Sequence, residues 1–330
     1  MLVLTRADLE RVLDAAGVIA AVERAFSEAA AGRAPTLPRA VLPMAKGGVF
    51  LGMISALPKM HALGAKLVTF VEANRKRGLP TLHASYVLSD PETGAPLAFM
   101  EAGFLTAIRT GAASAVAAKY LARPDSRRVA CFGAGVQAEF QLRCLKVVLP
   151  IESIAVVGRD PPRAQAFAER MRSAHGVSVE VSRDRRAAVR EADVVTCATT
   201  SSRPVFTGRD LRPGAHVDVV GAFRPDRREA DTETVKRARV VVDTYHGAWT
   251  EAGDLLIPIK AGAITRRHVR AELAEVVARK KPGRTRPDEI TLFKSVGWAP
   301  EDAATARLAY DRAMAQGIGT TVRLVNPAPA

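Results

Sequence analysis

The sequence is poor in the residues that build disulfide frameworks and metal centres. Its three cysteines, Cys131, Cys144 and Cys197, are far apart in 330 residues and form no CxxC pair, so neither a disulfide scaffold nor a thiolate metal site is expected. The six histidines form no HxH or HxxxH pattern, and no metal is expected. Aromatic residues make up only 5%, too few for a base-stacking surface. A net charge of +14 would otherwise suggest nucleic acid. The excess is mostly arginine and is spread over the whole chain, so it reads as a solvated surface with some attraction for anionic ligands. No run approaches the roughly 18 consecutive apolar residues of a membrane span. The opening MLVLTRADLERVLDAAG brings acidic residues early and lacks the layout of a secretory signal. These absences lead to the expectation of a cytoplasmic protein without a nucleic-acid or membrane partner.

What is present is an ordinary globular balance, 48% hydrophobic and 25% charged, in a chain long enough for two domains at roughly 100–200 residues each. Apolar residues at helical spacing over 6–31 predict one or two helices. Residues 63–71, 83–89 and 95–101 read as strands, the last two joined by the turn Asp90-Pro91-Glu92-Thr93-Gly94. An alanine-rich helix follows over 103–121. From Arg127 the pattern changes. The β-branched runs RRVACFG, SIAVVG, SVEV, ADVVTCATT, HVDVVGA and RVVVDT are interleaved with helical segments, which predicts βαβ units and a parallel sheet covered on both faces. Residues 280–288 form a charged, proline-bearing loop, and 301–316 an amphipathic helix. The fold class is therefore α/β, a Rossmann-type domain beside an α+β domain with a largely antiparallel sheet.

The strand VACF runs into Gly133-Ala134-Gly135-Val136-Gln137-Ala138, and a helix follows. This is GxGxxG with alanine in third place: Gly133 makes the tight turn, Gly135 lets backbone approach a pyrophosphate, and the helix N-terminus offers N–H groups to it. Alone the motif is weak; between a strand and a helix inside a βαβ pattern it is specific. The next strand ends at Val157-Gly158-Arg159-Asp160. Gly158 stands about where NAD enzymes carry a ribose-binding carboxylate. Arg159 can hold a 2′-phosphate and stack on adenine, which favours NADP(H), while Asp160 keeps NAD(H) open.

With these motifs in place, the chain resembles the ornithine cyclodeaminase/mu-crystallin family along nearly its whole length. The resemblance rests on GAKLVTFVEANRKRGLPTLHA at 64–84, DPETGAPLAFMEAGFLTAIRTGAASAVAAKYLAR at 90–123, GAGVQAEFQL at 133–142, VVGAFRPDRREAD at 219–231 and EITLFKSVGWAPEDAATARLAYDRA at 289–313. It implies an oxidoreductase handling an α-amino or α-imino carboxylate with a nicotinamide cofactor, and a homodimer joined through the sheet of the non-Rossmann domain. The domains are then 1–120 with 302–330, for substrate and dimerisation, and 121–301, for the dinucleotide. Lys66 matches the family's active-site lysine, and Arg109 and Arg39 its carboxylate-binding arginines. The cofactor set is Thr110, Gly133, Gly135, Val136, Gln137, Arg159, Asp160, Thr199, Gly221 and Ser295. A guanidinium fork suits a carboxylate, and a lysine flanked by two arginines should have a depressed pKa. Without the resemblance, Lys66 would read as an edge-strand gatekeeper and the arginines as surface residues.

One position departs from the family. Amine-oxidising members carry an aspartate two residues before a proline after the fifth Rossmann strand; here the motif reads Gly221-Ala222-Phe223-Arg224-Pro225. The nearby Asp226, Glu229 and Asp231 read as solvent-facing or capping residues. Removing a proton from a substrate ammonium needs a base, whereas reducing a ready-made imine does not. The expectation is NAD(P)H-dependent reduction of a cyclic α-imino acid, Δ1-pyrroline-2-carboxylate or Δ1-piperideine-2-carboxylate, to proline or pipecolate. Alanine dehydrogenase or ornithine cyclodeaminase activity is the alternative within the family. A protein that holds NADPH or a small ligand without turnover is the alternative from another class.

Overall fold

The computed structural model describes residues 1–44 and 47–324. After the short strand β1 (Leu2–Leu4), Thr5 caps helix α1 (Arg6–Val12) through a reciprocal box with Asp8, and Asp14 caps α2 (Ala15–Ala30). Strands β2 (Ala40–Pro43), β3 (Val49–Leu57), β4 (Ala62–Phe70), β5 (Leu82–Ser89) and β6 (Pro96–Glu101) follow, and then the long helix α3 (Ala102–Leu121). Strands β2 and β3 carry no clear alternation in the sequence; β3 pairs with β4, and β2 pairs with β3 at the sheet edge. The 90–94 turn closes as its residue types require: Asp90 Oδ1 accepts the N–H groups of Glu92 and Thr93 at 2.8 and 2.9 Å.

The parallel portion is β7 (Arg128–Phe132), α4 (Val136–Val148), β8 (Ser153–Val157), α5 (Pro161–His175), β9 (Ser178–Val181), α6 (Arg185–Glu191), β10 (Val194–Cys197), β11 (His216–Val219), α7 (Thr232–Arg237), β12 (Ala238–Val242), α8 (Tyr245–Thr250), α9 (Gly253–Lys260), β13 (Val269–Glu272), α10 (Leu273–Val277) and β14 (Ile290–Lys294). The strand order is β13-β12-β14-β11-β10-β7-β8-β9, and the strands pair in parallel throughout. Reading outward from β7, β8 and β9 lie on one side and β10 and β11 on the other. This reversal of direction is the switch point at which doubly wound sheets bind ligands. Strands β10, β11 and β14 are buried at every residue, as apolar runs covered on both faces should be. The three cysteines are free and buried, and burial pushes the Cys131 and Cys144 thiols up to about 12.

The chain then returns through α11 (Ala299–Gln316) and β15 (Thr320–Thr321) to complete the first sheet, ordered β15-β1-β6-β5-β4-β3-β2. That sheet is antiparallel from β2 to β6, with a parallel β1–β6 pair. Helix α11 packs across β3 and β4, and Trp298 before it stacks on Phe26 of α2 at 5.2 Å. Compactness divides the chain into Met1–Arg109 with Trp298–Ala330, and Thr110–Gly297. The residue pattern and the resemblance place the boundaries at 120/121 and 301/302. The difference arises because a helix end shows in the residue pattern, whereas a change of neighbours inside α3 does not. Of the range 302–330, residues 325–330 lie outside the described residues. Among the described residues no helix is long and apolar enough to cross a membrane.

Candidate active site

In the first unit the polar cluster is built on one row of the antiparallel sheet. Register places Met53, Lys66, Tyr86, Met100 and Leu4 side by side on one face. Lys66 is therefore on an interior strand, not an edge, and it is only 1% exposed. A buried ammonium needs a counter-charge. Asp302, in the first turn of α11, supplies it with Oδ1 at 2.7 Å from Lys66 Nζ. The same oxygen accepts from Arg109 Nε at 2.8 Å, and Arg109 Nη1 donates to Glu301 Oε2 at 2.8 Å. Two cations and two carboxylates thus form a neutral buried group. Burial lowers the Lys66 pKa to about 7, helped by the Arg109 charge and, less, by Arg39, against the opposing pull of Asp302. The two arginines act in the direction the sequence suggested, but desolvation is the larger cause.

The sequence reading missed Glu301 and Asp302. Carboxylates in the first turn of a helix ordinarily complement its dipole, and nothing in EDAATA marks these two as buried. Asp302 Oδ2 and the Tyr86 hydroxyl are buried without a hydrogen-bond partner among the described residues, an arrangement that asks for a ligand or ordered water. Burial, with the Asp302 charge, keeps the Tyr86 phenol well above its usual range.

In the second unit the glycine loop sits where the switch point requires. Gly133 has φ +118°, and a Cβ there would lie 2.6 Å from the Ala198 carbonyl oxygen, so only glycine allows this turn to pack against the end of β10. Gly135 is the N-cap of α4, and no side chain caps that helix; a Cβ on Gly135 would meet only the tip of Arg163, at 3.7 Å. A loop open to approach at a helix start left uncapped by its own side chains fits a dinucleotide pyrophosphate. Val136 is exposed at the mouth of this turn, with Gln137 half-buried beside it. Gly158, Arg159 and Asp160 are exposed at the end of β8. Asp160 also caps α5, accepting from Arg163 N at 3.2 Å. Arg163, absent from the sequence-derived set, donates from Nε to the Ala134 carbonyl at 3.3 Å and brings a second cation to the glycine loop. Thr110 is half-buried on α3. Ser295 is buried, its hydroxyl donated to Asp243 Oδ2 at 2.9 Å.

One reading is corrected here. Glu229 does not face solvent: it is fully buried, accepting from Thr199 N at 2.6 Å and Gly221 N at 2.7 Å. Burial, then the nearby Asp254, raises its pKa to about 7. Asp226 is exposed against Arg224, and Asp231 caps α7, as the sequence suggested.

The strand order and glycine loop define a Rossmann-type dinucleotide-binding α/β protein, and the first unit adds a buried cation–carboxylate group. Residues 1–317 match the model of the ornithine cyclodeaminase/mu-crystallin family. The chain belongs to that family. It is 37% identical over 324 residues to a Δ(1)-pyrroline-2-carboxylate reductase of Bacillus cereus, covering 98% of this chain and 99% of that protein. The structure of Thermococcus litoralis Δ(1)-pyrroline-2-carboxylate reductase in complex with NADH and L-proline aligns with a TM-score of 0.96 at 46% identity, covering 98% of this chain and 100% of that one. An archaeal alanine dehydrogenase dimer with bound NAD aligns with a TM-score of 0.93 at 35% identity, covering 98% and 99%.

Proposed function

We propose that the chain is an NAD(P)H-dependent reductase of a cyclic α-imino acid, Δ1-pyrroline-2-carboxylate or Δ1-piperideine-2-carboxylate, yielding proline or pipecolate. The observation that carries this reading is the buried group in which Lys66 and Arg109 share one oxygen of Asp302. Glu301 and Asp302 fix the Arg109 fork, leaving Nη2 and one Nη1 hydrogen for a substrate carboxylate, a charge-assisted contact. Arg39 lies near enough to lower the Lys66 pKa and adds a second cation for the same carboxylate. Lys66 holds a proton at Nζ that can leave near neutrality, and it passes that proton to the imine nitrogen. The nicotinamide, when bound, supplies the hydride for the imine carbon. Phe223 offers no base for the reverse start from an ammonium. The B. cereus relative, named for Δ(1)-pyrroline-2-carboxylate, and the T. litoralis relative, solved with L-proline, support a cyclic imino acid as the substrate.

A screen of dinucleotide oxidation separates this reading from its neighbours. Cyclic imines should be reduced at least about tenfold more efficiently than pyruvate with ammonia, a difference of about 1.4 kcal/mol in transition-state binding, and ornithine should release no detectable ammonia. Useful ornithine deamination, or pyruvate with ammonia outcompeting the imines, sinks the reading. A protein that binds dinucleotide but turns over none of these would be a carrier. In the same assays NADPH should bind more tightly than NADH, because Gly158 stands about where a ribose-binding carboxylate would otherwise repel the 2′-phosphate, and Arg159 beside it can hold that phosphate. Arg159→Ala should weaken NADPH alone; equal loss of both cofactors removes Arg159 from phosphate recognition.

The chain works as a homodimer in this reading. On the sheet face opposite Lys66 lie Leu42, Ile54, Leu67 and Phe99, which are 63%, 45%, 42% and 40% exposed. Exposed apolar residues spread over one sheet face in this way mark an interaction surface, and a second copy of the same face suits a twofold contact. Light scattering at micromolar concentration should give about twice the 35.2 kDa chain mass; a clean monomer there contradicts it.

A further inference from the structure

The turns that follow β10 and β11 are drawn together by a single buried side chain. Thr199 comes two residues after β10 and Gly221 two residues after β11, at the carboxyl ends of adjacent central strands. Their N–H groups point at opposite oxygens of Glu229: Thr199 N to Oε1 at 2.6 Å and Gly221 N to Oε2 at 2.7 Å. A Cβ on Gly221 would lie 2.3 Å from the Thr199 carbonyl oxygen and 2.6 Å from Glu229 Oε1, so the approach is closed to any other residue. The glycine loop touches the same place, since Ala198 O is what a Cβ on Gly133 would strike. Two turns lining the switch point therefore meet at one carboxylate, with the glycine loop packed against the first of them.

Glu229 is itself held from behind. Its own N–H and that of Ala230 donate to Asp254 Oδ1 at 2.7 and 2.8 Å. Lys294 Nζ lies 2.9 Å from Asp254 Oδ2 and donates to the Ala222 carbonyl at 2.5 Å. The ring Gly221–Ala222–Lys294–Asp254–Glu229 closes on itself without solvent, since Glu229 and Asp254 are 0% exposed and Lys294 1%. Burying two carboxylates and one ammonium for packing alone is costly. The arrangement suits a part of the backbone that must hold its shape for a ligand.

We propose that Glu229 is a positioning residue for the dinucleotide: its carboxylate clasps the Thr199 and Gly221 turns in the shape that admits the cofactor, without touching it. The inference rests on the dinucleotide-dependent function proposed above. The chemistry required is specific. Both partners are donors, so both oxygens must accept. A carboxylate does this; an amide of the same size offers one acceptor and turns an NH2 group against an N–H. Glu229→Gln should therefore weaken the clasp nearly as much as Glu229→Ala, despite its shape. Glu229→Asp keeps the charge but, one methylene shorter, reaches only one turn.

The test is a fluorescence titration of the unliganded protein with NADPH and NADH, beside thermal melting and steady-state kinetics with Δ1-pyrroline-2-carboxylate. Glu229→Gln is expected to raise both dinucleotide Kd values at least about tenfold, the equivalent of 1.4 kcal/mol. The KM for the imino acid at saturating cofactor should stay within about twofold, a split that general loss of stability does not produce. Glu229→Asp should fall between the two proteins, and it carries the test if the glutamine variant does not fold. A variant that melts earlier yet binds both dinucleotides like the parent overturns the assignment and leaves the function standing. A parent protein that binds neither dinucleotide overturns both.

Discussion

Arg109→Ala is expected to lower kcat/KM for imine reduction by on the order of 10- to 100-fold or more, while the dinucleotide still binds. Losing charge-assisted bonds to a substrate carboxylate is worth about 1.5–3 kcal/mol. The second effect is on the fold. Arg109 is 5% exposed and answers both Glu301 and Asp302. Removing one partner of a buried ionic group typically costs about 3–5 kcal/mol, because the remaining charges stay desolvated and unmatched. Arg109→Lys separates the two effects. It returns a positive charge to the carboxylates but presents a point charge where a fork was. It should recover most of the melting temperature and little of the activity. The measurements are a thermal melt, a cofactor titration and kcat/KM for the cyclic imine on each variant. Wild-type kcat/KM in Arg109→Ala would remove Arg109 from substrate binding. A parallel loss of dinucleotide affinity in Arg109→Lys would show that it supports the cofactor instead.

Much of the architecture is legible in residue pattern because the forces behind it are local. The all-buried strands VVTC and HVDV advertise a sheet covered on both faces. The glycine spacing at 133–135 advertises a turn that a Cβ would block. Asp231 reads as a cap because a carboxylate ahead of a helix has a local job. The charged interior is different in kind. Glu229 follows Arg227 and Arg228 and looks like part of a solvated loop; its burial is decided by Asp254, by the distant Thr199 turn and by the Gly221 turn just before it. Glu301 and Asp302 look like ordinary first-turn carboxylates, and Lys66 and Arg109, which bury them, come from more than 190 residues earlier. Arg163 reaches Ala134 across the opening of two βα units. In each case a long-range partner reverses the meaning of a charge, and no periodicity records that partner. The resemblance supplies Lys66 and Arg109 because it matches positions; Glu301 and Asp302 lie inside its 289–313 motif but carry no assigned role there.

Lys66 carries the prediction most sensitive to that chemistry. If its ammonium gives a proton to the imine nitrogen, log kcat/KM should fall as pH rises through about 7, the value to which burial and Arg109 bring it. The other groups around it do not duplicate that limb. Despite its burial, Arg109 is pushed above its usual value by the two carboxylates, and Tyr86 is held well above this range. Lys66→Met fills the same space without a proton and should cost about 10²–10⁴ in kcat, with the limb gone and dinucleotide binding kept. Lys66→Arg keeps the charge facing Asp302 but cannot release a proton near neutrality, so it should be similarly slow and equally flat. Stability supplies an independent sign. The Lys66 pKa is about 7 in the fold against the ordinary lysine value of 10.5. Between those values the unfolded chain binds more protons than the fold, so this group stabilises the native state progressively as pH rises from about 7 towards 10.5. Lys66→Met should lack that rise. A wild-type rate that is flat from about pH 6 to 9, or an unchanged limb in Lys66→Met, would take Lys66 out of the proton path. A stability curve with the same slope in both proteins would mean that its ammonium is no harder to bury than one in water.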